Sequence, residues 1–452
     1  MVNRMHHRIA EAGWVLPLCL ILTACMDGAG LPGVAMLAGG RPSDPVVVPD
    51  GQGEVTRAAA DRGARSEARS AVIDDLIARQ SVLPRGSAHA RIADAVLDAS
   101  QGAAAAELRV ARLKAEAKAR NWLPSLGPSV NLTSLGSIAA GLLVEQVILD
   151  NGRRKAERAF AAADVELAAV ALAADMNARV HDGIARHIEA ERARAQAAVA
   201  DRAVARMAEF SRIVTGRVEG GIADRSDANV VAQKLSELRA TAARDREAEA
   251  TARAELAALT DGRAPAVTGL SDLRPASPAT APLTVLRAEG EGRRMVAQAR
   301  MDRAAHLPGV SAGATLTGDG LKGGLRLGAD KLLNGGTNAS LQALEATETL
   351  AVQKVAEARD TATRRLVTLE RQLAELAARQ AEGATVVAQT QATQRLYADQ
   401  FAVGRRPLMD VVGMTETLAR LERDQAGLAY EMALLRLRMA ELRGVLVDGA
   451  RM

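Results

Sequence analysis

Leu149-Asp150-Asn151-Gly152 stands 184 residues before Leu333-Asn334-Gly335-Gly336. The same offset separates Trp122-Leu123-Pro124 from His306-Leu307-Pro308. Further on, Gly221 lies six residues before Asp227, and Gly404 lies six before Asp410, an offset of 183. Four landmarks that keep step over about a hundred residues mark an internal duplication. The period is far longer than that of common solenoids, so the chain is made by doubling one large unit.

Strand patterns lie between the first two landmarks of each copy. Ser129 to Thr133 alternates, and Ile138 to Leu149 is mostly apolar. In the second copy Val310, Ala312, Ala314 and Leu316 alternate with Ser311, Gly313, Thr315 and Thr317. After the turn Thr317-Gly318-Asp319-Gly320, Leu321, Leu325, Leu327 and Ala329 alternate with Lys322, Gly324, Arg326 and Asp330. A period of two places one set on each face of a strand. Segments of this length suit either a tilted membrane-spanning strand or a soluble hairpin half buried against helices.

Helices follow the strands. No proline occurs between Gly152 and Pro265. Val165, Leu172, Met176, Val180, Ile184, Ile188, Ala195, Val199, Ala203, Met207, Phe210 and Val214 recur at helical steps. About 60 residues at ~1.5 Å each predict a rod of roughly 90 Å. The second copy has Leu366, Leu369, Leu373 and Leu376, and a last helix is marked by Leu421, Leu428, Met432, Leu435, Met439, Leu442 and Leu446. Such seams require partner helices. The rods break at Gly220-Gly221 and Gly404 and resume near Asp227 and Asp410. Upstream, a short helix from about Ser66 to Gln80 precedes a longer one, which Ser87 caps and which runs to about Asn121.

The amino terminus has the form of a secretory signal, with Arg4, His6, His7 and Arg8 before an apolar run from Trp14 to Leu22. Those nine residues are fewer than the roughly 20 a membrane helix needs. Leu22-Thr23-Ala24-Cys25 is similar to a bacterial lipoprotein box, in which Cys25 carries the lipid. The alternative is an ordinary signal with an incidental cysteine. Cys19 and Cys25 are the only cysteines, so a chain processed at Cys25 has no disulfide and no thiol-based site. The expected segments are a signal at 1–24, a flexible tether at 25–66, N-terminal helices at 67–123 and a first repeat at 124–262. A proline-rich linker at 263–284, a second repeat at 285–446 and a tail at 447–452 complete them.

Lys and Arg number 58 against 54 Asp and Glu, interspersed as on exposed helix faces, and no basic stripe with aromatics points to nucleic acid. Aromatic residues make up only 2 %, which suits Ala- and Leu-rich helices packed closely. His181 and His187 are six apart and do not share a helix face as a metal pair would; they read as surface or seam residues. The glycines around 318–324 lack the Lys-Ser/Thr of a phosphate loop. No catalytic constellation, cofactor motif or metal site stands out.

Four strands per chain cannot close a membrane barrel, which needs about eight. Two chains supply eight, filled by side chains; three supply twelve, with room for a lumen. In that setting Lys322, Arg326 and Asp330 face the lumen, and Leu321, Leu325 and Leu327 face lipid.

From about residue 88 to 446 the chain resembles the TolC-like outer membrane efflux proteins. The resemblance rests on the duplication, on Leu123-Pro124-Ser125-Leu126, on Asp150-Asn151-Gly152-Arg153, and on the turn Phe401-Ala402-Val403-Gly404-Arg405-Arg406-Pro407-Leu408-Met409-Asp410-Val411-Val412. It implies a mainly α fold with a small membrane β part. Three chains would form an α-helical tunnel under a 12-stranded β-barrel, docked to a periplasmic adaptor and an inner-membrane pump of the RND or ABC type. It also places the second turn at the periplasmic entrance. There Asp410 matches a ring aspartate and Arg406 a gating arginine. Phe401 replaces a tyrosine whose hydroxyl bond is lost, and Gly413 replaces a second ring aspartate. Asp410 can equally be a helix N-cap, and Asp227 reads first as a cap. Gly221 and Gly404 set the turns.

The function implied is an outer-membrane exit duct that passively conducts small molecules or secreted polypeptide, in a lipid-anchored homotrimer. A periplasmic adaptor has one hairpin between halves of a β domain, not two duplicated hairpins. A purely structural coiled-coil lipoprotein has no use for the alternating strands.

Overall fold

The computed structural model describes residues 70–100, 102–133, 137–317, 320–329, 331 and 336–451. The signal, Cys25, the whole of the expected tether, Asp330 and the Leu333-Asn334-Gly335 landmark lie outside the described residues.

Three helices open the described residues: α1 (Ala71–Ala78), α2 (Ala88–Ala99) and α3 (Ala103–Ala119). Ser87 caps α2, its hydroxyl accepting from the Ala90 amide at 3.1 Å. The single helix expected from Ser87 to Asn121 is thus two. Ser100 bonds back to the Leu97 carbonyl and Gly102 restarts the chain in extended backbone, which frees α2 to pack across the long helix while α3 leads to the sheet.

Each repeat then contributes a strand pair, a very long helix and a return helix of about half its length. In the first copy these are β1 (Ser125–Thr133), β2 (Ser137–Leu149), α4 (Arg153–Glu219) and α5 (Arg225–Leu259). In the second, α6 (Leu283–Ala305) precedes β3 (Gly309–Thr317), β4 (Gly320–Gly328), α7 (Thr337–Ala402) and α8 (Leu408–Leu442). α4 and α7 have 67 and 66 residues, and both return helices have 35, so the duplication persists in three dimensions. At ~1.5 Å per residue α4 is about 100 Å long.

A return helix of half length leaves the other half of its partner to be covered by something else. Near the sheet, α3 flanks α4, and α6 lies between α4 and α7; toward the hairpin tips, α5 flanks α4, and α8 lies between α4 and α7. The slab is therefore four helices wide at both levels. Gly183 allows α2 to cross α4 closely, since a Cβ there would fall 2.6 Å from Val96 Cγ2. Val180, Ile184 and Ile188 of α4 join Ile92, Leu437 and Leu446 in one apolar core at mid-height. Leu446 is not on the last helix, as its spacing suggested. Gly444 (φ +62°) ends α8 in a Schellman motif, and the chain turns back so that the Val445 carbonyl receives the Val82 amide.

α7 buries few residues in this chain: Leu366, Leu369, Leu373 and Leu376 are half buried, whereas Val352, Val367 and Leu396 are exposed. No helix among the described residues is long and apolar enough to cross a membrane.

The sheet is antiparallel, in the order β1-β2-β3-β4, and among the described residues no strand pairs with its outer edges. Its register sorts the side chains. Leu126, Val130, Leu142, Val144, Leu316, Leu321, Leu325 and Leu327 share one face, and all are exposed. Gln146 also lies on that face, its amide donating to the Trp122 and Val147 carbonyls. Ser125, Ser129, Glu145, Ser311, Thr315, Lys322 and Arg326 share the other. Pro128 sits on an edge strand, where a missing amide is tolerated.

Candidate functional site at the hairpin tips

Where strand meets helix in the first copy, Asp150-Asn151-Gly152 forms a turn with both Asn151 and Gly152 left-handed (φ 52° and 85°). Asp150 accepts from the Gly152 and Arg154 amides at 3.1 and 2.7 Å, satisfying the open end of α4. Asn151 donates to the Pro308 carbonyl at 2.9 Å, tying the first copy to the second.

At the far end, α4 and α7 stop in the same way. Gly221 (φ +70°) donates to the Val218 carbonyl and Ile222 to that of Arg217; Gly404 (φ +75°) donates to Phe401 and Arg405 to Gln400. These are paired Schellman motifs, and they explain why glycine occupies both positions. Space does not require it, since a Cβ would meet nothing within 4 Å at either site.

Neither Asp227 nor Asp410 is a helix N-cap. Asp224 and Pro407 hold those places, and the two aspartates both stand third in their helices. There the positive helix end still favours a carboxylate. Asp410 is also not a bare anion. Arg406 donates from Nη1 to Asp410 Oδ2 (3.1 Å) and from Nε to Gln400 Oε1 (3.2 Å). Its Cζ lies 3.7 Å from the centre of the Tyr397 ring.

Phe401 lies in the apolar core of the tip. It is buried among Met207, Phe210, Val214, Leu408 and Val411, edge-on to Phe210 at 6.5 Å. Two residues that sequence reasoning missed complete the tip. Tyr397, one helical turn before Phe401, supplies the aromatic surface under Arg406. Arg217 of α4 reaches across to α7, donating from Nη2 to the Phe401 and Ala402 carbonyls at 3.0 and 3.2 Å. Its guanidinium lies 4.3 Å from the Phe401 ring centre. A cation on the last carbonyls of α7 matches the negative end of that helix. The signal was present in the spacing: Arg217 precedes Gly221 by four residues, as Gln400 precedes Gly404.

Lys322 and Arg326 lie at the opposite end of α7, on the polar face of the sheet with Glu145. The structure thus assembles Asp410, Arg406, Gly404 and Phe401 at one tip with Gly221 and Asp227 on the neighbouring hairpin, and leaves Lys322 and Arg326 apart. Among the described residues no cluster of three or more His, Asp, Glu or Cys is placed to hold a metal ion. His187 is buried in the mid-height core and His181 is largely covered.

No protein-family model and no curated protein sequence matches the chain. Solved structures do. A membrane protein from Pseudomonas aeruginosa superposes with a TM-score of 0.70 at 16 % identity, over 83 % of this chain and 93 % of that one. The outer membrane protein VceC of Vibrio cholerae gives 0.68 at 15 % identity, over 79 % and 96 %. The CmeC outer membrane channel of Campylobacter jejuni gives 0.66 at 12 % identity, over 81 % and 88 %. This chain has the fold of the TolC-like outer membrane channels. The TolC-like fold combines a helical tunnel with a β-barrel, and both parts have their counterpart here in the helical slab and the four-stranded sheet.

Proposed function

We propose that this chain is the outer-membrane exit duct of a tripartite export system. Three copies join β4 of one chain to β1 of the next and close a twelve-stranded barrel. The helical slabs continue that barrel as a periplasmic tunnel, an adaptor docks to the tunnel, and an RND or ABC pump supplies the energy. The observation that carries this reading is the sheet: an apolar, exposed face across all four strands, with an edge on each side that no other described strand pairs with. An exposed edge of this kind invites pairing with another chain, and a face of leucine and valine suits lipid. Lys322, Arg326 and Asp330 then line the lumen, and lipid on Cys25 fastens the chain to the membrane. Cargo passes without a reaction, as small molecules or as polypeptide. Ile222, Val403 and Met409, exposed at the two tips, offer an apolar surface to the adaptor's helices.

Detergent extracts of the outer membrane are expected to contain a heat-labile trimer, and Cys25→Ser is expected to stay in the membrane pellet. A soluble Cys25→Ser chain would overturn the proposal.

At the entrance, Arg406 offsets the charge of Asp410 in each copy. Arg406→Ala unmasks a ring of three Asp410 carboxylates and is expected to raise cation selectivity in planar bilayers. Asp410→Ala leaves three arginines and is expected to shift the reversal potential the opposite way. Equal reversal potentials for both variants and the parent chain would remove the pair from the conduction path.

A further inference from the structure

His89 is 1 % exposed, and neither of its ring nitrogens has a hydrogen-bond partner. It is the second residue of α2, where the positive helix end opposes a positive charge. Its ring meets that of His187 on α4 edge-on, at 6.0 Å between centroids. His187 is itself 4 % exposed, and its Nε2 lies 3.0 Å from the Gly269 carbonyl. One turn along α4, Glu191 accepts from the Gly269 amide at 2.8 Å. His187 and Glu191 therefore grip both polar groups of one residue in the connection between the repeats, and His89 closes over the grip from α2.

We propose that His89 and His187 form an acid-released clasp, which holds α2 and the connecting segment around Gly269 against α4 while the His89 imidazole is neutral. A neutral ring can lie buried and unpartnered at modest cost, but an imidazolium there cannot. Asp272 on the connection lies close enough to act on His89, and Glu191 beside the grip has Arg194 on α4, Arg253 on α5 and Tyr430 on α8 around it. Asp272 favours protonation of His89, whereas burial and His187 oppose it and prevail.

Burial, and then His187, lower the pKa of His89 from 6.5 to about 4. The opened state regains the ordinary value, so opening takes up a proton between those limits. The clasp is at full strength above pH 6.5 and weakens as pH falls toward 4. From pH 7 to pH 5 the opened population rises about 20-fold by this linkage.

Amide hydrogen exchange of the full chain in detergent tests the clasp, with rates corrected for the intrinsic effect of pH. Opening of α2 and residues 263–282 is expected to increase about 20-fold from pH 7 to pH 5, with the tip halves of α4 and α7 unchanged. His89→Phe, which keeps an aromatic ring against His187, and His89→Leu are each expected to abolish the acid response. His181→Gln is expected to retain it. An acid response that survives in both His89 variants, or one spread equally over all helices, would overturn the clasp.

Discussion

Leu325→Arg is expected to leave the helices folded and to stop the chain from entering the outer membrane. Leu325 lies in the middle of β4, 75 % exposed, on the same face as Leu321, Leu327, Val144 and Leu126. An arginine on the lipid face of a barrel costs about 2–4 kcal/mol near the midplane, and in a trimer the cost recurs in every copy. Arg326→Leu changes the neighbouring residue on the opposite face and is the control; it is expected to assemble. The measurement is the share of heat-modifiable oligomer in outer-membrane fractions, with helical circular dichroism to verify the tunnel part. Normal assembly of Leu325→Arg would mean that this face does not meet lipid.

The second large effect concerns the helices. Asp245 on α5 is only 4 % exposed, yet it carries a carboxylate. Arg423 of α8 compensates it with two bonds, Nε to Oδ2 at 3.0 Å and Nη2 to Oδ1 at 2.5 Å. Closer to the tip, Lys234 and Glu416 join the same helices at 3.0 Å. α5 and α8 both flank α4, so these pairs brace one hairpin against the other. Arg423→Leu strands the carboxylate away from water and is expected to destabilise the fold by about 3–5 kcal/mol. Asp245→Leu combined with Arg423→Leu removes both charges and is expected to recover most of that loss. The midpoint of helical unfolding in a denaturant series measures both. A double variant as unstable as Arg423→Leu would mean that the arginine acts through packing alone.

The parts of the fold legible in the sequence are those that geometry restricts to few residue types. Gly221 and Gly404 were readable because the left-handed end of a Schellman turn selects glycine. Asp150-Asn151-Gly152 was readable because its aspartate closes a helix while its next two residues adopt positive φ. The long rods followed from the apolar period and the absence of proline. Misreadings came where one local choice outweighed a pattern. The apolar step from Leu442 to Leu446 continues the seam of α8, but Gly444 ends the helix between them. Likewise, Ser100 and Gly102 split a continuous helical pattern into α2 and α3.

The tip depended least on local sequence. Asp410 suggested a cap or an exposed anion, and it is third in its helix and paired with Arg406. Phe401 suggested a position at the entrance, and its side chain lies in the apolar core of the tip. Arg217 and Phe401 meet across 184 residues of chain, so no local pattern could join them. His89 and His187 sit on separate helices that meet only because Gly183 permits a close crossing.

By itself, then, the sequence determined the doubling, the element types and most of the turns, since backbone conformation and periodicity are properties of neighbouring residues. It also set the alternation of β4, where Lys322 and Arg326 contrast with leucines. In β2 both faces carry apolar residues, with Leu143 and Val147 opposite Leu142 and Val144, so alternation was unreadable there. Only pairing with β1 and β3 assigned its faces. Tertiary structure alone decided which charges are paired and which histidines are buried, because burial and partnership are set by contacts between residues far apart in the chain.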